Sequence, residues 1–331
     1  MIMNKIKAAF FSNSPSNVDY VFANGRREII DGLTDLHPEV ITCDNFTDDL
    51  ELLSQIQVIF STWGMLELKQ EQLELMPKLK AVFYAAGATD YFVRPFLDRK
   101  ILVCSSWREN AVPVAEFTVS QIALACKGYF QNLASYRSAI EKQDFSDIHL
   151  GDGIYNTKVF LLGDGAIANK TKQLLEDNLK LDVVMVSSRE HLREISFEEA
   201  FKEGYVISNH LPNREDNKKV FNRELFELMP HGATFINTGR GAQVDENDLA
   251  EVFKERPDLV ALLDVTYPEP PVENSPLLEC PNVFLTSHIA GSLNKEVVRM
   301  ADSAIDEFKR YASGEDCLHA VREEILITSK V

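Results

Sequence analysis

Short β-rich runs separated by longer, more polar segments constrain this chain most, and the pattern occurs twice. "KAAFFS", "VIFST", "KAVFYA" and "ILVCSS" lie before residue 110; "KVFLLG", "DVVMVS", "YVISNH", "TFINTG", "LVALLDV" and "VFLTSH" begin again at Lys158. Such alternation reads as βαβ units around parallel sheets. Spacers such as "NKKVFNRELFELM" and "DENDLAEVFKER" supply helices, and the later series has the strands a doubly wound dinucleotide fold requires. Between the series, "NAVPVAEFTVSQIALACKGYF" is apolar on nearly every side, with Pro113 read in the first turn, where a helix tolerates it. It is expected as a buried helix connecting two domains, the number that 331 residues suggest. Near the end, Val297, Met300, Ala301, Ala304 and Phe308 recur at helical spacing up to Gly314, a natural stop.

Composition removes several function classes. The net charge of -17, with no Lys/Arg-rich block, argues against nucleic acid and against an anionic membrane surface. A small anionic substrate is not excluded, because it answers to one local Arg. Cys43, Cys104, Cys126, Cys280 and Cys317 share no metal-ligand spacing, so they read as scattered thiols of a reducing compartment, with no metal site. The N-terminal apolar stretch is too short for a signal peptide, and "VPVAEFTVSQIALAC" is interrupted by Glu116, Thr118, Ser120 and Gln121. A cytoplasmic soluble protein is expected.

In "KVFLLGDGAIANK", Gly163 and Gly165 fit the first two places of G-x-G-x-x-G/A and Ala168 the third. The first glycine permits a tight turn, the second lets backbone N–H groups approach a pyrophosphate, and the small third residue lets helix and strand pack closely. The same residues also suit a strand-to-helix turn without a ligand. The next strand ends in Ser187, Ser188 and Arg189, where dinucleotide folds usually place a carboxylate for the adenine ribose. Two hydroxyls and an Arg would suit a 2′-phosphate, so NADP(H) is favoured, with NAD(H) as the alternative; a solvated polar loop is the competing reading.

Three later stretches end strands of the same expected sheet. "TFINTGRGAQVDE" carries Arg240, "LLDVTYPEPP" carries Asp264 and Glu269, and "VFLTSHIAGS" carries His288. Each alone also fits a surface or structural residue. Together they supply what hydride transfer to a 2-keto acid needs: an Arg to fork a carboxylate, a His to donate a proton, and a carboxylate to orient that His.

With "NHLPNREDN", "LKAVFYAAGATDYF" and "ENAVPVAEFTVS", these motifs make the chain resemble the D-isomer-specific 2-hydroxyacid dehydrogenase family over about residues 55–310. The resemblance implies two doubly wound parallel-sheet α/β domains. A Rossmann-type cofactor domain (113–302) is inserted into a flavodoxin-like substrate domain (1–112, completed by 303–331), which puts the glycine turn mid-chain. It implies Arg240 as carboxylate and carbonyl binder, His288 as general acid/base and Glu269 as its partner. Asp264 would contact the nicotinamide carboxamide, Ala166 and Ile167 the pyrophosphate, and Leu211, Pro212, Asn217, Thr238 and Gly239 the rest of the cofactor. Gly64, Ala86 and Gly87 would offer backbone N–H groups to the substrate carboxylate.

The chain departs from the family pattern at Ser187, which replaces the usual Asp, and at Asn217, where Thr is common. Trp63 and Met65 make an unfamiliar substrate-loop lining, and specificity placed in the loops around Trp63, Met65 and Trp107 leaves the keto acid open. The expected activity is NAD(P)-dependent D-2-hydroxyacid dehydrogenation, run as 2-keto acid reduction such as that of glyoxylate or hydroxypyruvate. The expected partner is a second copy, in a homodimer through the cofactor domain with segment 118–150 contributing. The rivals are a cofactor-sensing, corepressor-like binding protein on the same fold and a formate dehydrogenase, the latter disfavoured by Glu269.

Overall fold

The computed structural model describes residues 5–323. The chain forms two compact units, one running to Asn110 and resuming at Ser292, the other spanning Ala111–Gly291.

The first unit is built on a five-stranded parallel sheet of Lys7–Phe11 (β1), Asp35–Ile41 (β2), Val58–Ser61 (β3), Ala81–Tyr84 (β4) and Leu102–Ser105 (β5). Its order is β2-β1-β3-β4-β5, the flavodoxin-like arrangement. β3 and β4 are buried at every position, as strands covered on both faces must be. Helix Val297–Ser313 lays its expected apolar stripe on this sheet, with the Phe308 ring 5.2 Å from Phe60 and 5.6 Å from Phe83. It stops at Gly314, whose φ of 78° is left-handed.

β2 is absent from the runs that the sequence pattern picks out. It is an edge strand carrying Pro38 and the acids Asp35 and Glu39, and only Ile41 is buried, so it has no apolar signature to read. Two further expectations differ from the structure. The connecting helix starts at Trp107, so Pro113 sits inside it and not in its first turn, at the cost of one backbone bond. The chain rejoins the first unit at Ser292, whose N–H donates to Asn110 Oδ1 at 3.2 Å, whereas a boundary at 303 would cut helix Val297–Ser313 in two.

The cysteines are all free, but two are not scattered. The sulfurs of Cys104 and Cys317 and a Glu307 oxygen lie within 4.8 Å of one another. Burial, with Glu307 alongside, pushes both thiols up from their ordinary value.

The second unit carries a six-stranded parallel sheet of Lys158–Leu162 (β6), Asp182–Val186 (β7), Val206–Asn209 (β8), Thr234–Asn237 (β9), Val260–Leu263 (β10) and Val283–Leu285 (β11). The order is β11-β10-β9-β8-β6-β7. β6 therefore has its sequence successor on one side and β8 on the other, and the crevice beyond the carboxyl ends of these strands is where open α/β sheets take ligands. One face is packed by a cluster of Phe201, Phe221, Phe226 and Phe235, with neighbouring ring centroids 5.3–5.9 Å apart. Among the described residues, no helix is long and apolar enough to cross a membrane.

Candidate active site

The glycine turn leaves β6 at the point where the strand order reverses. Gly163 has φ of 131°, and a Cβ there would lie 2.4 Å from the carbonyl oxygen of His210, which follows β8. No other residue fits this backbone or this approach. Gly165 is the N-cap of helix Ala166–Asn178 and has no side-chain capping bond, and a Cβ added to it would meet nothing within 4 Å. The first-turn backbone of Ala166 and Ile167 thus faces an open cradle of the kind that suits a pyrophosphate.

Ser187, Ser188 and Arg189 turn to that same loop. Asp164 Oδ2 accepts from Ser187 Oγ at 2.8 Å and from Arg189 Nη2 at 3.1 Å, and Oδ1 accepts from Ser188 Oγ at 3.0 Å. Burial opposes ionisation, but these bonds and the charge of Arg189 outweigh it and hold the Asp164 carboxyl below the usual carboxylate range. Asp164 was not singled out from the sequence; its only signal is an acid between the two glycines.

A buried amide network fixes the next two loops. Asn209 Nδ2 donates to Asn237 Oδ1 at 2.9 Å and to Gln243 Oε1 at 2.6 Å, and Asn209 Oδ1 accepts from Leu211 N at 3.0 Å. Gln243 Nε2 and Asn217 Nδ2 both donate to Pro212 O, at 2.8 and 2.9 Å. Asn237 Oδ1 also accepts from Gly239 N, and its Nδ2 donates to Arg240 O. Leu211, Pro212, Asn217 and Gly239 are therefore positioned together, while Thr238 Oγ1 lies 3.4 Å from Thr118 Oγ1. Asn209 and Asn237, at strand ends, and Gln243, in the turn after β9, escaped the sequence reading because amides that meet only in the folded chain carry no spacing signature. Desolvation lowers the neighbouring His210 to about 4, so its imidazole is neutral at neutral pH.

Arg240 is half-buried, and its Nη1 donates to Gly239 O at 2.9 Å. Among the described residues no carboxylate pairs with it. Gly241 packs so closely on the loop after β10 that a Cβ would lie 2.1 Å from the Thr266 carbonyl carbon. Backbone bonds then step along the carboxyl edge: Asp264 N donates to Asn237 O, and His288 N donates to Asp264 O, each at 3.0 Å.

Asp264 is buried and clamps the His288 turn. Oδ1 accepts from Thr286 Oγ1 at 2.6 Å and Ile289 N at 2.8 Å, and Oδ2 from Ala290 N at 2.9 Å. His288 itself is left-handed, with φ of 58°, a strained conformation that the clamp makes tenable. Its Nδ1 lies 2.6 Å from Glu269 Oε1, and both side chains are about half exposed. The Glu269 loop is pinned by Tyr267 N donating to Glu246 Oε1 and by Thr266 Oγ1 donating to Pro268 O.

The remaining expected residues belong to the first unit. Gly64, with φ of 89°, follows β3 and accepts from Asn13 N at 2.7 Å. Ala86 and Gly87 follow β4, and both their carbonyls accept from Ser105 Oγ, at 2.9 and 2.8 Å.

Comparison with known proteins agrees with this architecture. The model of the D-isomer specific 2-hydroxyacid dehydrogenase NAD binding domain matches residues 125–290. Glyoxylate/hydroxypyruvate reductase B of Yersinia pestis is 26% identical over 298 residues, covering 87% of this chain and 90% of that protein. YoaD of Bacillus subtilis is 33% identical over 147 residues, a match spanning 43% of either chain. The 2-hydroxyacid dehydrogenase of Ketogulonicigenium vulgare superposes with a TM-score of 0.72 at 18% identity, covering 97% of this chain and 99% of that one. A D-lactate dehydrogenase from Treponema pallidum gives 0.70 at 20% identity, over 96% and 100%. The chain belongs to the D-isomer specific 2-hydroxyacid dehydrogenase family, an oxidoreductase family with a nicotinamide-dinucleotide fold.

Proposed function

We propose that this protein reduces a small 2-keto acid to its D-2-hydroxy acid, with Arg240, His288 and Glu269 as the working side chains. The observation that carries this reading is the 2.6 Å His288–Glu269 pair on the sheet edge that also presents Arg240, an Arg with no carboxylate partner among the described residues. The planar guanidinium suits a substrate carboxylate and draws on the adjacent carbonyl. His288 gives Nδ1 to Glu269, so Nε2 is the nitrogen left to protonate the carbonyl oxygen. Glu269 balances the imidazolium charge and holds the ring in place.

A nicotinamide dinucleotide supplies the hydride when bound. The uncapped helix start at Ala166 and the turn of Gly163 and Gly165 fit its pyrophosphate, and the fixed loops of Leu211, Pro212, Asn217, Thr238 and Gly239 flank that place. Asp264 contributes by shaping the His288 turn and lying against the carboxamide end.

The names of the relatives favour glyoxylate or hydroxypyruvate as substrates. The test follows oxidation of reduced coenzyme with glyoxylate, hydroxypyruvate, pyruvate and bulkier keto acids. Coenzyme binding without turnover on any of them would instead support the corepressor-like sensing role.

The working form is a homodimer through segment 118–150. Helix Tyr129–Lys142 exposes Tyr129, Leu133, Tyr136 and Ile140, an apolar stripe at helical spacing of the kind that a second copy would cover. Light scattering of wild type and Leu133→Glu tests this, since a dimer through this face should dissociate in the variant.

A further inference from the structure

We infer that Asp164, the residue between the two glycines, selects the coenzyme, making the chain an NADH enzyme that discriminates against NADPH. This rests on the dehydrogenase reading above and reverses the preference expected from the Ser-Ser-Arg sequence.

The donors that would have received a 2′-phosphate are already engaged. Ser187 Oγ, Ser188 Oγ and Arg189 Nη2 all point into the Asp164 carboxylate, at 2.8, 3.0 and 3.1 Å. Arg189 N is turned inward as well, donating to Ser187 Oγ at 3.2 Å. The Asp164 backbone is held by Asn169 Nδ2, which donates to its carbonyl at 2.8 Å and to that of Gly165 at 2.9 Å. A carboxylate thus reaches the end of β7 from the glycine turn, although the strand itself ends in serine.

The charge count follows. A 2′-phosphate brings about −1.5 to −2 charges at neutral pH. The Asp164 carboxylate bonded to those three donors already carries one, and Arg189 is the cation that pairs with it. The other guanidinium at this strand end, Arg193, is committed to Ser187 O, to which its Nε donates at 3.1 Å, and to the Phe197 ring, 3.8 Å from its centroid. A ribose 2′-hydroxyl makes no such demand. It needs an acceptor, and Oδ1 accepts one side-chain bond, from Ser188, where a carboxylate oxygen has room for two. Asp164 therefore stands in, from a different loop, for the ribose-binding carboxylate that the strand end lacks.

The experiment measures dissociation constants for NADH and NADPH by nicotinamide fluorescence, without substrate, in wild type, Asp164→Asn, Asp164→Ser and Asp164→Asn/Arg189→Ala. Thermal unfolding of each variant checks the fold. Wild type should bind NADH at least about tenfold more tightly than NADPH. Both single variants should tighten NADPH by about tenfold or more while NADH weakens, by about tenfold in Asp164→Ser, which loses the ribose acceptor, and by less in Asp164→Asn, which keeps an acceptor oxygen; the added Arg189→Ala should abolish the NADPH gain. Tighter binding of NADPH by wild type, or an NADPH affinity unmoved in both folded single variants, would overturn the inference while leaving the dehydrogenase reading intact. Binding of neither coenzyme by wild type would overturn both.

Discussion

Glu269 Oε1 lies 2.6 Å from His288 Nδ1, although the two residues sit on loops that leave different strands of one sheet. Glu269→Gln keeps the shape and removes the charge that steadies the imidazolium. Steady-state reduction should fall in kcat by about tenfold to a hundredfold, a range typical of weakened acid–base catalysis, with coenzyme affinity nearly unchanged. An unaltered kcat would mean the pair is bystander geometry.

Arg240→Lys keeps one positive charge and loses the two-pronged donor face. Keto-acid kcat/KM should drop by about a hundredfold or more, corresponding to a lost charge-assisted contact of about 3 kcal/mol, while coenzyme titrations resemble wild type. Weakened coenzyme binding of the same size would relocate Arg240 from substrate to cofactor.

The two directions of the reaction need opposite forms of His288. On the proposed mechanism reduction requires the imidazolium and oxidation the neutral ring, so over a common pH range reduction should slow as pH rises and oxidation should speed up. Initial rates in both directions across that range check this; parallel profiles would assign the proton to another group.

Asn209→Ala removes the centre of the buried amide network and leaves Leu211 N and Gln243 Oε1 without their partner. Equilibrium urea unfolding should report a loss of about 2–3 kcal/mol, the cost of stranding buried polar groups. A loss below about half that would show that water fills the gap.

Acid stability gives a separate readout of Asp164. Its folded carboxyl titrates below the unfolded value of about 3.9, so its contribution is intact above that pH and is lost as pH falls through the lower, folded value. The melting temperature of Asp164→Asn should therefore lie below that of wild type at neutral pH, with the two curves converging below about pH 4. Parallel curves down to the acid end would argue that the bonds to Ser187 and Arg189 carry no net stability.

Burial on both faces forces the apolar runs that made β3, β4, β8, β9 and β10 legible, whereas β7 and β11, with one buried residue each, were legible from their aliphatic and β-branched composition. β2 was hidden because an edge strand tolerates Pro38 and charges. Arg240, Glu269 and His288 could be picked out because chemistry dictates their types and strand ends dictate their place. The supports could not. Asn209 and Gln243 meet only through tertiary folding, and the role of Asp264 as a clamp depends on Ile289 N and Ala290 N turning back toward it. Ser187 is a different case: its hydroxyl was legible as a donor, but the acceptor it meets, Asp164, lies in another loop.

The bond from Ser292 N to Asn110 Oδ1 brings the departing and returning chain ends of the first unit within 3.2 Å contact. A long excursion that leaves and returns through so narrow a gate imposes almost no stretch on its host. The inserted segment therefore starts and finishes at adjoining points of its host, the geometry that lets a gene graft one whole folding unit into the middle of another.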